Sequence, residues 1–156
     1  MKKAKSGKKC THFFEYINHL DSLTTSKLTA KTVQEFSKLE SLETMLKTRS
    51  AFYLISVYNL LNTSKATDKE KQNELYAIEV QKMTKYHLIY IMFVIATSNY
   101  KNHKFTDQRI PEILDVLLKV FALKQLVEDP QALYECGFFG AGSGHLLDES
   151  LKDALR

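Results

Sequence analysis

The sequence predicts an all-α protein, folded as an up-down helical bundle. Its 156 residues include only five Gly and two Pro, and so few breakers favour long helices over many short strands joined by turns. Hydrophobic residues make up 44% of the chain, which is enough for a core and too much for a disordered protein. We therefore expect one helical domain over residues 11–156, truncated inside its last helix, after a basic tail over residues 1–10.

The positive charge belongs to the tail and not to the domain. The chain has a formal net charge of +4, and without the five lysines of the tail the rest would carry −1. A nucleic-acid-binding protein needs a basic face on its folded body, so this distribution is typical of a solvated end. These lysines are Lys2, Lys3, Lys5, Lys8 and Lys9.

Cysteine use and hydropathy favour a reducing compartment without a membrane span. Cys10 and Cys136 are distant in sequence and neither sits in a Cys-x-x-Cys motif or a Cys/His ligand cluster, so they indicate no disulfide framework and no zinc site. We interpret Cys136 as a packed residue at a helix end. The most apolar run, His87–Ala96, is shorter than the roughly 20 residues that cross a bilayer. No apolar segment of a secretory signal follows the basic start.

The first half of the chain predicts one short and one long helix. Apolar residues at helical spacing indicate a helix over Thr11–Leu23, followed by a polar connector over Asp21–Thr32. One further turn is expected at Thr32–Phe36. Leu39–Leu61 is predicted to be a long amphipathic helix.

A second long helix is predicted to begin at a capping box. Thr67 and Glu70 have the spacing at which a hydroxyl and a carboxylate satisfy each other's backbone amides. Since no Gly or Pro follows before Tyr100, we expect one helix of more than thirty residues. Its second half is apolar nearly all round, and such a helix must be covered on every side. It is therefore predicted to be the central helix.

The last third predicts three helices. After a connector over Asn99–Asp107, the pattern indicates a helix over Ile110–Val127. Asp129-Pro130 pairs an N-cap residue with a proline suited to a first helical position, which predicts a short helix to about Cys136. A loop over Gly137–Gly144 then precedes a helix over Leu146–Arg156.

The glycine-rich stretch Gly140–Gly144 does not predict a phosphate site. No strand precedes it and no Lys follows it, as a phosphate-binding loop would require. Ser143 lacks the flanking glycines of a nucleophile elbow. A connecting loop between helices is the simpler interpretation.

No side chain is predicted to act in catalysis, cofactor binding or metal binding. His12 and His19 share a helix face but lack a third ligand. His87 lies in the apolar run and is either a satisfied core residue or a catalytic histidine without an identifiable partner. The carboxylates lie on polar faces, where nothing raises their pKa for acid–base chemistry. They are Asp68, Glu70, Glu74, Glu79, Asp148 and Glu149.

Several segments, in order and at similar spacings, resemble the C-terminal region of the acyl-CoA oxidases. The start of the chain resembles the exit from the family's flavin domain, and the later segments resemble its last helices. Lys85–Tyr90 is similar to a His-x-x-Tyr pattern, and Leu42–Ala51 to a helix with an Arg-Ala step. The segments are Lys5–Lys9, Phe14–Asn18, Leu28–Phe36, Leu42–Ala51, Lys85–Tyr90, Phe121–Leu126 and Leu133–Phe139.

The resemblance implies a bundle like the C-terminal domain of acyl-CoA dehydrogenases and oxidases. Members of the family are peroxisomal flavoenzymes of fatty-acid β-oxidation, which use FAD and O₂ to convert acyl-CoA to trans-2-enoyl-CoA and release H₂O₂. Their catalytic glutamate and most FAD-binding segments precede the region that matches here. The resemblance therefore implies a structural part that covers the flavin domain, contributes to a homodimer and is inactive alone. The chain has no peroxisomal targeting tripeptide, so a cytoplasmic location is the alternative.

Two other interpretations remain open. An autonomous helical protein-interaction module would have polar surfaces except at one groove and a capped last helix. A nucleic-acid-binding bundle would show salt-dependent binding that is lost when residues 1–9 are deleted. An oxidase fragment instead predicts a large exposed apolar face and no FAD bound by the isolated chain.

Overall fold

The all-α prediction is confirmed. The computed structural model describes residues 12–65, 67, 70, 76–107 and 109–156, and these residues contain helices and no strand. The predictions for the basic tail, Cys10, Asp68 and Glu74 lie outside the described residues, as does the side chain of His12. Within the described ranges, a 3₁₀ helix, His12–His19, precedes these α-helices: α1 Leu20–Thr25, α2 Val33–Phe36, α3 Leu39–Thr63, α4 Ala77–Asn102, α5 Arg109–Glu128, α6 Gln131–Glu135 and α7 Ser143–Ala154.

The N-terminal segment forms two short helices where the sequence predicted one. The 3₁₀ helix meets α1 at His19, whose φ of −124° is not helical, and both place apolar side chains in the core. The predicted turn at residues 32–36 is α2. Its cap is reciprocal, because the Thr32 side chain accepts from the Glu35 N–H and the Glu35 carboxylate accepts from the Lys31 N–H.

The prediction of one continuous helix from Thr67 is wrong. The capping box itself is present, with the Thr67 N–H 2.8 Å from Glu70 Oε2 and the Glu70 N–H 3.3 Å from Thr67 Oγ1. The long helix, however, begins at Ala77, after a non-helical Tyr76 with φ −126° and ψ 24°. Tyr76 therefore interrupts the helix that was predicted to run on to about Tyr100.

Ion pairs define the up-down arrangement of the long helices. Lys101, near the end of α4, pairs with Glu40 at the start of α3, with Nζ and Oε1 2.7 Å apart. Lys85, near the start of α4, pairs with Glu128 at the end of α5, at 2.6 Å. Both neighbours of α4 are therefore antiparallel to it, as short connections between helices predict.

The central helix is α3, and the prediction that α4 would be central is wrong. Nine residues of α3 are buried but only four of α4, so α3 lies inside and α4 at the side. The inner positions of α3 include small residues such as Ser50 and Ala51, which allow neighbouring helices to approach closely. The apolar composition of α4 does require cover, but on one side the described residues do not supply it.

The last two helices begin close to the predicted positions but not at them, and α7 starts at Ser143 where Leu146 was predicted. Asp129 Oδ1 accepts from the Gln131 N–H at 3.3 Å, but the N-cap of α6 is Pro130, so the prediction of Asp129 as N-cap and of Pro130 as the first helical residue is wrong by one position. Cys136 is half-buried at the end of that helix, and burial raises the pKa of its thiol. The helix α7 begins at Ser143 because Gly142, at φ +86°, adopts a left-handed conformation that reverses the chain.

Candidate functional site

One side of the bundle exposes apolar side chains in stripes. On α4, Leu88, Met92 and Ile95 follow one another at helical spacing, and Met92 is 58% exposed. On α5, Ile113 is also 58% exposed. Scattered exposed apolar residues are ordinary, but stripes on two adjacent helices indicate a surface that another element covers. We call this surface the α4–α5 face: Leu88, Met92, Ile95, Ile110, Ile113, Val116 and Leu117.

Two contacts show that α4 and α5, which carry the stripes, lie side by side. The Lys85–Glu128 ion pair joins α4 and α5 at one end of the face. At the other end, a groove of about 660 Å³ is lined by Ala96 and Asn99 of α4 and by Leu114 of α5, among others. The stripe on α4 runs between these two points, one helical turn at a time. The α4 stripe therefore runs beside the seam between the two helices.

Behind this seam, the Asp129 carboxylate joins three helices. Its Oδ2 accepts from the hydroxyl of Tyr53 on α3 at 2.8 Å and from that of Tyr86 on α4 at 2.7 Å. The ammonium of Lys82, also on α4, lies 3.0 Å from the same oxygen. Burial alone would raise the pKa of Asp129, but the hydrogen bonds from Tyr86, Lys82 and Tyr53 outweigh it and lower the pKa to about 2. The carboxylate is therefore ionised at neutral pH and holds the helices together.

A fully buried Arg49 completes this network. Its Nη1 donates to the backbone carbonyls of Gln125 and Asp129 at the C-terminal end of α5. A cation is favoured there because the C-terminal end of a helix carries partial negative charge. The guanidinium carbon also lies 4.2 Å from the centroid of the Tyr86 ring. Burial lowers the pKa of Arg49, although Tyr86 and Asp129 partly offset this.

His87 lies in a second polar connection. Its Nδ1 is 2.6 Å from the hydroxyl of Tyr16, which is also 2.8 Å from Ser50 Oγ. The Phe14 ring stacks on the imidazole with the centroids 5.1 Å apart. Burial lowers the pKa of His87 and raises that of Tyr16 well above its usual value. The core interpretation of His87 is therefore favoured, since its one described hydrogen bond ties the N-terminal 3₁₀ helix to α4.

The other sequence candidates do not come together. His19 is exposed, and Asp148 is an exposed acid of α7. The described residues hold no group of three or more His, Cys, Asp or Glu that could bind a metal ion. In the same part of the chain, no helix is long and apolar enough to cross a membrane. That this chain contributes no catalytic, cofactor-binding or metal-binding residue stays a prediction.

Sequence reasoning missed the network of Arg49 and Asp129. A signal was present, because Arg49 stands four residues after Met45 and seven after Leu42 on the apolar stripe of its helix. A charged residue on a buried stripe requires partners inside the protein. The identity of those partners, 76 or more positions away, could not be deduced from the pattern.

The fold recurs in solved acyl-CoA oxidases. The crystal structure of LeACX1, an acyl-CoA oxidase from tomato (Lycopersicon esculentum), superposes on 98% of this chain with a TM-score of 0.90 at 16% identity. Acyl-CoA oxidase 1 of Arabidopsis thaliana superposes on 98% with a TM-score of 0.88 at 12% identity. The chain spans 23% of the length of each. No curated protein matches the sequence.

At the level of sequence, the acyl-CoA oxidase family model matches residues 38–156, well over half of the chain. The chain belongs to the acyl-CoA oxidase family. The matched part includes α3 to α7, and so contains Arg49, Asp129 and the α4–α5 face. The resemblance seen in the sequence is therefore confirmed.

The family implies FAD as cofactor. Neither the glycine-rich loop nor the groove between α4 and α5 could hold FAD by itself. The FAD pyrophosphate needs cationic side chains or free backbone N–H groups. In the glycine-rich loop, the Gly140 N–H already donates to Ser143 Oγ at 3.1 Å. The groove between α4 and α5 has no Lys or Arg in its lining. Neither place provides a cradle for the cofactor from the described residues of this acyl-CoA oxidase chain.

Proposed function

We propose that this chain is the C-terminal helical part of an acyl-CoA oxidase, with a structural role and no activity on its own. In the parent enzyme, acyl-CoA would be oxidised to trans-2-enoyl-CoA with FAD and O₂, giving H₂O₂ in peroxisomal fatty-acid β-oxidation. FAD would supply the redox chemistry there, held mainly by segments outside these 156 residues. The role of this chain would be to pack against the flavin domain and to contribute to a homodimer.

The observation that carries this proposal is the α4–α5 face. Leu88, Met92, Ile113 and Leu117 are each more than half exposed, which is unfavourable for isolated apolar side chains lined up along two helices. The same helical arrangement occurs as 23% of two larger enzymes, so related chains have further polypeptide available to cover such a surface. Family membership supports taking that polypeptide to be the rest of an acyl-CoA oxidase.

The direct test of this proposal is to examine the gene on both sides of this reading frame. The sequence flanking this reading frame would be translated in both directions, and the longest open frame expressed. We expect a flavin domain upstream, a purified product with the absorbance of bound FAD, and H₂O₂ release on addition of acyl-CoA. If no flavin domain is encoded nearby, the oxidase proposal fails, and the autonomous interaction module becomes the better interpretation.

A variant pair tests the role of the face within that product. Replacing both Leu88 and Met92 by Gln should leave the helical content intact, because both side chains are exposed, but should weaken FAD retention or dimer formation. Leu155→Gln is the matched control, since Leu155 is 67% exposed and lies outside the face. Equal FAD retention and oligomeric state in both variants would show that the face is not an interface.

A further inference from the structure

Among the described residues, the groove beside the α4–α5 face has a lining without Lys, Arg, Asp or Glu. Ala96, Leu114 and Leu118 contribute apolar surface, and the rings of Tyr100 and Phe105, which also line the groove, lie 6.2 Å apart. His103 belongs to the lining as well, but it is exposed, so water screens any charge pair that it could form with a ligand. A charged group entering the groove would lose hydration without gaining a buried counter-charge, which is costly. We therefore expect an apolar, uncharged group to enter the groove.

The rim of the groove carries two amide side chains. Asn99 and Asn102 are exposed and three residues apart, so they lie on the same side of α4. Asn102 Nδ2 makes a 3.3 Å contact with Ser98 Oγ, which leaves its amide oxygen available. Each amide can donate and accept at once, as the peptide group of an extended chain requires. A helix would not need them, because its backbone groups pair internally.

We propose that this groove binds an extended, uncharged peptide segment that inserts one aromatic or branched aliphatic side chain between α4 and α5. The inference rests on the proposed function, because it takes the segment from acyl-CoA oxidase polypeptide outside these 156 residues. The match to 23% of each larger enzyme leaves ample chain of that kind. The volume of about 660 Å³ is within the range of roughly 300–1,000 Å³ that binding sites use. The groove also continues the α4–α5 face, so one partner could cover both.

The test uses the 156-residue chain and a defined probe. Amide chemical shifts would be followed by NMR during titration with acetyl-Gly-Phe-Gly-amide, with acetyl-Gly-Asp-Gly-amide as the charged control. We expect saturable shifts centred on Ala96, Asn99 and Leu118 for the Phe peptide, with a dissociation constant on the order of 1 mM. The Asp peptide should give none. Absence of saturation, or an equal response to both peptides, overturns the proposal.

Single substitutions test the contributions of the apolar groove and of the asparagine side chains to peptide binding separately. Ala96→Phe should fill the groove and weaken the Phe peptide at least about tenfold, while Ala77→Phe, at an exposed position on the same helix, should not. Asn99→Ala should weaken the peptide several-fold but leave benzyl alcohol, which fits only the apolar part, unchanged. If benzyl alcohol binds as well as the peptide, or Ala96→Phe has no effect, the extended segment is refuted. Either result leaves the test of the α4–α5 face with Leu88 and Met92 unaffected.

Discussion

The Asp129 carboxylate should make a pH-dependent contribution to stability that its amide variant lacks. In the folded chain the pKa of Asp129 falls from 3.8 to about 2, despite burial, because Tyr86, Lys82 and Tyr53 hydrogen-bond to it. Each pKa unit corresponds to about 1.4 kcal/mol, so the ionised form contributes on the order of 2 kcal/mol to the free energy of unfolding at pH 7. The side chain is only 13% exposed, so solvent screening removes little of this.

The sign of the pH dependence follows from the direction of the shift. A lowered folded-state pKa gives a contribution that is complete above the unfolded-state value near 4 and disappears as the pH falls through about 2. About half of it should remain at pH 3. Asp129→Asn cannot ionise, so it should be destabilised by about 2 kcal/mol at pH 7 and by clearly less at pH 3.

The assay is urea unfolding followed by circular dichroism at pH 7, 5, 4 and 3. Wild type, Asp129→Asn and Asp148→Asn would be compared, because Asp148 is an exposed acid for which surface substitutions usually change stability by no more than about 0.5 kcal/mol. Two results would refute the reasoning. One is an Asp129→Asn midpoint equal to wild type at pH 7, and the other is a difference that does not shrink on acidification.

Three further predictions use the same unfolding assay. Arg49→Met should lower the free energy of unfolding by about 2–4 kcal/mol, because carbonyls at the end of α5 lose their donor. Arg49→Lys should recover only part of this loss. An unchanged unfolding midpoint in Arg49→Met would contradict the capping role. Tyr16→Phe should lower the free energy of unfolding by about 1–3 kcal/mol, because a buried serine and a histidine lose their hydrogen-bond partner. Tyr134→Phe, on a 44% exposed ring, should leave it unchanged. Equal effects of the two substitutions would rule out a stabilising role for the Tyr16 hydroxyl. Gly142→Ala should cost about 1 kcal/mol or more, because Gly142 has φ +86°. Gly144→Ala should cost less, since the added Cβ meets only the movable end of the Tyr134 ring, so a larger loss at Gly144 would contradict the turn argument.

The sequence alone predicted the helical class, most element positions and the family. Helical periodicity and the scarcity of breakers are local signals, so they placed Leu39–Thr63 and Arg109–Glu128 within two residues at either end. The capping box at Thr67 was also found, because a cap requires only a side chain and a backbone group a few positions apart. Collinear motifs gave the family, which the match over residues 38–156 supports.

Tertiary structure decided which helix is central and which groups are paired. The sequence marked α4 as the most apolar helix, but the small inner residues of α3 let more neighbours pack around it. The partners of Arg49 and Tyr16 lie tens of positions away, and nothing local specifies them. Periodicity reports what each helix needs to cover, whereas the relative placement of helices determines what covers it. The α4–α5 face illustrates this difference. The sequence showed its apolar stripes, but only the structure showed that they are exposed.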